Sequence, residues 1–473
     1  MKYTIFVFMV IAVTTSCKPE KKVKIHPEIE EAPVVGGYDI SFNAGRIYNS
    51  VVCRNDVSQS YALYLPPDYD TAKTFPVIYF IDPHADGLMP VTKYKTLAEK
   101  FHFIFAGSNN SKNGNTLETN AAFINNVIED VRHRFSVDDR QQYVAGFSGG
   151  SRVASFIALN SGEIRGVIAM GGGMVKIEKT TSSGFYYIGI AGLEDFNATE
   201  MISQKELFSR IGLKNDFLMF DGKHEWCPVD ILNTVITGLQ FDAMQKKIIP
   251  YDKAMVENFI VESNRKVNEL KKKNQLTELN DYYSLEINFL KGLADVEKLT
   301  VEKLELENSG KYIKAKEEKA NAEARETVLK EQYAQLFLEK NSGWWSDEIK
   351  MLQKKADKAK NENERLLYKR VINYLSLVAY MYSDHSIKNN DLDGANRLLD
   401  IYKMIDPQNS EHAYLHAKVA ARKNETETVF TFLNEAVDLG FKDLERLKTD
   451  NDFYVLKNNS EFAKVELRIR QSN

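Results

Sequence analysis

Cysteine is almost missing: Cys17, Cys53 and Cys227 are the only three in 473 residues. They stand too far apart for a zinc knuckle, and neither an HExxH pattern nor a glycine-rich phosphate loop between a strand and a helix occurs. No metal and no cofactor is therefore expected. Net positive charge is lacking too, with 62 Lys and Arg interspersed among 66 Asp and Glu for a formal charge of −4 and a pI near 6.2. A chain without a basic field has little to offer a polyanion, which sets nucleic acid aside as a partner. The early apolar run from Ile5 to Val13 is too short to span a bilayer. Glycine is sparse, 25 residues in all, so any glycine-rich motif carries more information than usual.

There is ample material for folding. With 43% hydrophobic, 11% aromatic and 27% charged residues the composition is that of a globular protein, and 473 residues exceed what one core usually serves. Lys2, the apolar run and the small residues Thr14, Thr15 and Ser16 read as a secretory signal peptide over 1–17. The tripeptide before Cys17 resembles a bacterial lipoprotein processing box. That implies an exported, lipid-anchored protein of the cell envelope, lipidated at Cys17 and touching the membrane through its anchor alone; an ordinary signal with an incidental cysteine is the alternative. Residues 18–44, with Pro19, Pro27 and Pro33 among Lys and Glu, suit an extended tether. Cys53 and Cys227 then either pair or lie as buried free thiols.

Over 45–248, short apolar runs alternate with longer amphipathic stretches, as in a mostly parallel sheet covered by helices. Expected strands are Tyr61 to Leu65, Val77 to Ile81, Phe101 to Ala106, Tyr143 to Ala145, Gly166 to Met170, Phe185 to Ile190 and Phe217 to Phe220. Between them Glu118 to Arg134 sets Ala122, Ile124, Val127, Ile128 and Val131 at helical spacing, and Arg152 to Leu159 forms a second helix. Beyond Pro250 glycine and proline thin out and apolar residues recur at three and four, which predicts an all-helical region over 249–365. Its stretch from Val296 to Leu338 is charged enough for a long solvated helical pair. Over 366–473, Ala395, Leu399, Tyr402 and Pro407 resemble the second helix of a tetratricopeptide repeat, with Val429, Leu433 and Ala436 in corresponding places thirty-four residues on. A generic stack of helical hairpins is the alternative. Trp344 and Trp345 are assigned to core packing, with a peptide groove as the alternative.

Chemistry concentrates in Gly146, Phe147, Ser148, Gly149 and Gly150, a GxSxG pentapeptide set between an apolar run and a helix. A nucleophile on such a sharp turn needs small neighbours. A serine hydroxyl also needs a base, and His224 follows in the loop after the last expected strand. The acid is expected after the strand before it, where Glu194 and Asp195 are adjacent; Asp195 is preferred for its offset from Gly192, with Glu194 as the alternative. For the oxyanion, the N–H of Gly149 is one donor and that of Ala85, after the strand ending at Ile81, the other. Asn109, Asn110 and Trp226 are candidate substrate contacts, with an ordinary loop and plain packing as the respective alternatives.

In this order LYLPPDYD, DPHADG, GFSGG, GLEDF and DGKHEW resemble the esterase and polyhydroxybutyrate-depolymerase-like branch of the α/β-hydrolases. The resemblance implies a mostly parallel α/β-hydrolase sheet with flanking helices, here followed by the all-α, tetratricopeptide-like region. It implies a serine hydrolase, a carboxylesterase acting through an acyl-enzyme on a small-molecule or polymer-linked acyl ester. Peptide hydrolysis on the same triad is one alternative. A binding scaffold whose helical tail holds a protein partner is the other. Ala85 in place of the usual glycine and Lys223 beside the histidine depart from that pattern. The combination of lipoprotein signal, hydrolase and helical tail is similar to exported hydrolases of Bacteroidetes-type bacteria.

Overall fold

A computed structural model describes residues 41–175 and 184–472. The expected signal peptide, Cys17 and the tether as far as residue 40 lie outside the described residues. The chain forms two compact units, dividing between Ala320 and Asn321.

The first unit is built on an eight-stranded sheet: β1 Ile47–Val52, β2 Ser60–Tyr64, β3 Phe75–Ile81, β4 Ile104–Ser108, β5 Val137–Phe147, β6 Gly166–Met170, β7 Tyr186–Gly192 and β8 Asn215–Phe220. The strand order is β1-β2-β4-β3-β5-β6-β7-β8. β2 runs antiparallel to both its neighbours, and all pairings from β4 to β8 are parallel. This is the α/β-hydrolase arrangement. Parallel neighbours need long crossovers, which put helices over both faces and leave the central strands without a wet side. Every residue of β4, β6 and β7 is accordingly buried. The crossovers include α1 Leu88–Phe101, α2 Leu117–Arg134, α3 Gly149–Asn160 and α4 Ala198–Arg210, and α5 Val229–Gln245 follows the last strand. Thr116 starts α2 by accepting the Thr119 N–H, and the buried face carries Ile124, Val127, Ile128 and Val131, with Ala121 inside where Ala122 was expected.

Two departures from the expected strands have local causes. β1 went unforeseen because Asn49 and Ser50 interrupt its apolar alternation, and as an edge strand with an irregular register it needs only one partner. Phe101 belongs to α1; His102, at φ 60°, turns the chain so that β4 begins at Ile104.

The first unit also includes α6 Lys253–Lys272, α7 Leu276–Leu290 and α8 Glu297–Glu307, while the division falls within α9 Gly310–Glu339. α8 buries no side chain, as a solvated helix should. α7 is held to the sheet side. A Cβ on Gly238 would lie 2.2 Å from the Phe289 ring, so the missing side chain of α5 makes room for that ring. Phe241 and Phe259 flank Phe289 at 6.2 and 5.5 Å. The change of composition near 249 therefore does not interrupt packing.

The second unit contains α10 Ser342–Asp357, α11 Glu362–Lys388, α12 Leu392–Ile405, α13 Ser410–Arg422, α14 Thr426–Asp438, α15 Leu444–Thr449 and α16 Ser460–Ser472. Successive helices pack as neighbours, with α11 on α12 and α13 on α14. Ala395, Leu399 and Tyr402 on α12, and Val429, Leu433 and Ala436 on α14, are all buried. Trp345 is buried beside Phe337, as core packing requires. Among the described residues no helix is long and apolar enough to cross a membrane. Cys53 and Cys227 are both free, so they are not a disulfide, and their burial pushes each thiol up to about 12.

One buried carboxyl makes the first unit sensitive to pH. Asp216 on β8 accepts the Tyr186 hydroxyl and the Asn288 amide, yet burial raises its pKa from 3.8 to about 6. The folded state thus binds this proton more tightly than the unfolded chain does. The cost of ionising it is absent below 3.8, grows through the interval and is complete above about 6, at about 3 kcal/mol. Asp216→Asn is expected to stabilise the protein by about 1–3 kcal/mol at pH 8 and to flatten the fall in stability between pH 4 and 6, read by denaturant unfolding. An unchanged pH profile contradicts this.

Candidate active site

The parallel strands end along one edge of the sheet, and three of those ends bring the expected catalytic side chains together. Ser148 stands between β5 and α3 at φ 53° and ψ −116°. A non-glycine residue in this region costs on the order of 1–3 kcal/mol, so its surroundings must hold it there. The Ser148 N–H donates to Met170 O at 2.7 Å. Gly150 lets α3 approach β3 so closely that a Cβ would lie 2.0 Å from Ile81 O.

The loops after β7 and β8 are joined by their backbones, with Leu193 N–H on Phe220 O at 2.8 Å and Glu194 N–H on Gly222 O at 2.9 Å. They carry Asp195 and His224. His224 Nε2 is 2.9 Å from Ser148 Oγ, and Nδ1 is 2.9 and 3.0 Å from the two oxygens of Asp195. All three residues are buried. Asp195, not Glu194, is the carboxylate that reaches the imidazole.

Several supporting residues escaped the sequence reading. The Asn197 N–H donates to Asp195 Oδ1 at 2.7 Å, while its side-chain amide donates to Gly171 O at 2.8 Å. Phe147 and Phe196 lie against the imidazole at centroid distances of 4.7 and 4.2 Å. At Gly171 a Cβ would come within 3.0 Å of Asp195 Oδ2 and 3.1 Å of the His224 ring, so this glycine leaves room for the carboxylate and the imidazole to meet. Phe147, as the residue before the serine of GxSxG, and Asn197, two positions past Asp195, offered a signal in retrospect. Gly171 offered none.

The expected substrate contacts are placed differently. Trp226 donates its indole N–H to Asp82 Oδ2 at 3.0 Å and is buried against Phe80, Tyr94 and Phe147. It is packing. The Asn109 amide is bonded to Asn49 O and Ser60 Oγ. That of Asn110 is bonded to Ser58 O, and its Oδ1 accepts the Ser60 N–H. Both tie the loop after β4 to its neighbours, with two acceptors on the Asn109 amide and one on that of Asn110. The Ala85 N–H, expected at the oxyanion, instead closes its own turn on Asp82 O at 3.4 Å, with Ala85 at φ 65°. Asp82 organises this loop by also accepting the His84 and Asp86 N–H groups, and burial raises its carboxyl above the usual range. Gly149 is the first residue of α3, where an N–H has no partner within the helix. Among the described residues no cluster of ligand-type side chains could hold a metal.

No protein-family model matches the chain. A probable feruloyl esterase C from Aspergillus niger is 26% identical over 148 residues, 29% of this chain and 55% of that protein. The chain thus spans about half the length of the curated relative it matches. Among solved structures, S-formylglutathione hydrolase from Staphylococcus aureus aligns over 38% of this chain and 90% of its own, at 14% identity and a TM-score of 0.31. The feruloyl esterase module from Clostridium thermocellum, a mutant complexed with sinapinate, aligns over 45% and 91%, at 17% identity and 0.32. An esterase from Pyrobaculum calidifontis aligns over 42% and 87%, at 10% identity and 0.36. The fold assignment rests on the strand order described above.

The close approach at Gly150 is open to test. Gly150→Ala must move Ile81 or α3 and is expected to cost about 1–3 kcal/mol, read as a lowered thermal midpoint. Gly162→Ala, with nothing within 4 Å of its new Cβ, should leave the midpoint near that of the parent. Equal midpoints contradict the close-packed elbow.

Proposed function

We propose that this protein is a serine carboxylesterase working through an acyl-enzyme. The observation that carries the reading is the unbroken chain of hydrogen bonds from Ser148 through His224 to Asp195, on a strained turn that exposes the hydroxyl to one base. In this mechanism His224 Nε2 takes the Ser148 proton as Oγ attacks the ester carbonyl. The same nitrogen then returns the proton to the departing alcohol. Asp195 holds Nδ1–H and stabilises the imidazolium, and water deacylates the serine by the same steps in reverse order. The Gly149 N–H supports the developing oxyanion.

The likeness to a probable feruloyl esterase supports an ester substrate, small or polymer-linked. The export signal and the Cys17 anchor go with this proposal on the strength of the sequence alone. A protein partner for the tetratricopeptide-like tail is proposed on the same terms.

A fluorophosphonate probe should label the wild-type chain on Ser148 and leave Ser148→Ala unlabelled. Turnover of a short aryl ester should fall by at least about 10³-fold in that variant. Equal labelling of both proteins, or undiminished turnover in Ser148→Ala, removes the proposal.

A further inference from the structure

An oxyanion site commonly presents two donors, and with the Ala85 N–H turned to Asp82 O only that of Gly149 is accounted for. Five asparagines occupy the segment from Asn109 to Asn120 that follows β4. Four of them have bonded side chains. Asn109 and Asn110 brace the neighbouring strands as described, Asn115 donates to Asn120 Oδ1, and Asn120 clasps the Lys112 backbone through both its amide and its carbonyl.

Asn113 is the exception. Its backbone is fixed, since its N–H donates to Pro83 O at 2.8 Å and Lys112 beside it forms a β-bridge with His84. Its Nδ2 is buried with no hydrogen-bond acceptor among the described residues. An unsatisfied buried amide costs about 1–3 kcal/mol. Evidence for a use of that amide lies in its position against the residue after the nucleophile. A Cβ on Gly149 would stand 2.0 Å from Asn113 Oδ1 and 3.6 Å from Nδ2. The second glycine of GFSGG thus leaves its side-chain space to this carboxamide.

Resting on the hydrolase reading above, we propose that the Asn113 carboxamide is the second oxyanion donor, a catalytic residue of the Ser148 site. A half-turn about its terminal torsion breaks no hydrogen bond of Nδ2 and exchanges Oδ1 for the NH₂ group against Gly149. As Ser148 Oγ bonds to the carbonyl carbon, the carbonyl π pair moves onto oxygen and the hydroxyl proton passes to His224 Nε2. The Gly149 N–H and an Asn113 N–H then meet the negative oxygen. On collapse the pair returns, the alkoxide leaves and takes the proton from His224. A donor aimed at charge present only in the transition state raises kcat and leaves KM nearly alone.

The test uses the full chain and a short aryl ester, with Asn113→Ala, the isosteric Asn113→Asp and Ser148→Ala side by side. Loss of one such donor should lower kcat about 10²–10³-fold in Asn113→Ala with KM within a few-fold of the parent. Asn113→Asp keeps the shape but is acceptor-only when ionised, so it should fall at least as far, and it carries the test should the alanine variant fold poorly. Wild-type kcat in either folded Asn113 variant, or a raised KM with kcat unchanged, overturns the proposal while a dead Ser148→Ala leaves the hydrolase reading standing. Full turnover in Ser148→Ala removes the hydrolase reading and this proposal with it.

Discussion

The imidazole of His224 is bonded at both nitrogens, and the architecture of the first unit serves to deliver its two partners. A hydroxyl and a carboxylate 47 positions apart in the chain cannot be brought to one ring by local structure. They arrive because β5, β7 and β8 run parallel and finish at the same edge of the sheet. The backbone bonds between the acid and histidine loops then fix the ring relative to its acid. Phe147 and Phe196 line the imidazole with apolar surface, and in such a low-dielectric site each polar contact counts for more than it would in water.

Holding this geometry uses residues with no chemistry of their own. Glycine appears where a neighbour occupies the space of a side chain: Ile81 O beside Gly150, Asp195 and His224 beside Gly171, the Asn113 carboxamide beside Gly149. The strained φ of Ser148 persists because its N–H is tied to β6 and α3 is pressed onto β3. Asp82 does comparable work for the opposite loop, taking two backbone N–H groups and the Trp226 indole onto one carboxylate. Ser148, Asp195 and His224 are thus three side chains on a scaffold of many.

What the sequence disclosed and what it hid divide along a physical line. The sheet core was legible since strands buried on both faces must be apolar throughout, and Ser148, His224 and Asp195 were legible because their order and their loops are dictated by strand topology. For Asn109, Asn110 and Trp226 the sequence left loop formation and packing open beside substrate contact, because a polar side chain on this edge looks the same whether its donors are free or already bonded. Only coordinates distinguish the braced Asn109 from the unbonded Asn113 four residues on. The helices from Lys253 to Glu307 were assigned to a separate region on composition, yet Gly238, Phe241 and Phe289 join α7 to α5 through packing that composition does not report.

The most direct measurement is a crystal structure of the protein after reaction with an alkyl phosphonate ester. The account predicts phosphorus bonded to Ser148 Oγ, His224 Nε2 within hydrogen-bonding distance of an adduct oxygen, and the imidazole still seated on Asp195. Phosphorus bonded to any other side chain, or an adduct on Ser148 with His224 turned away from both partners, would contradict it.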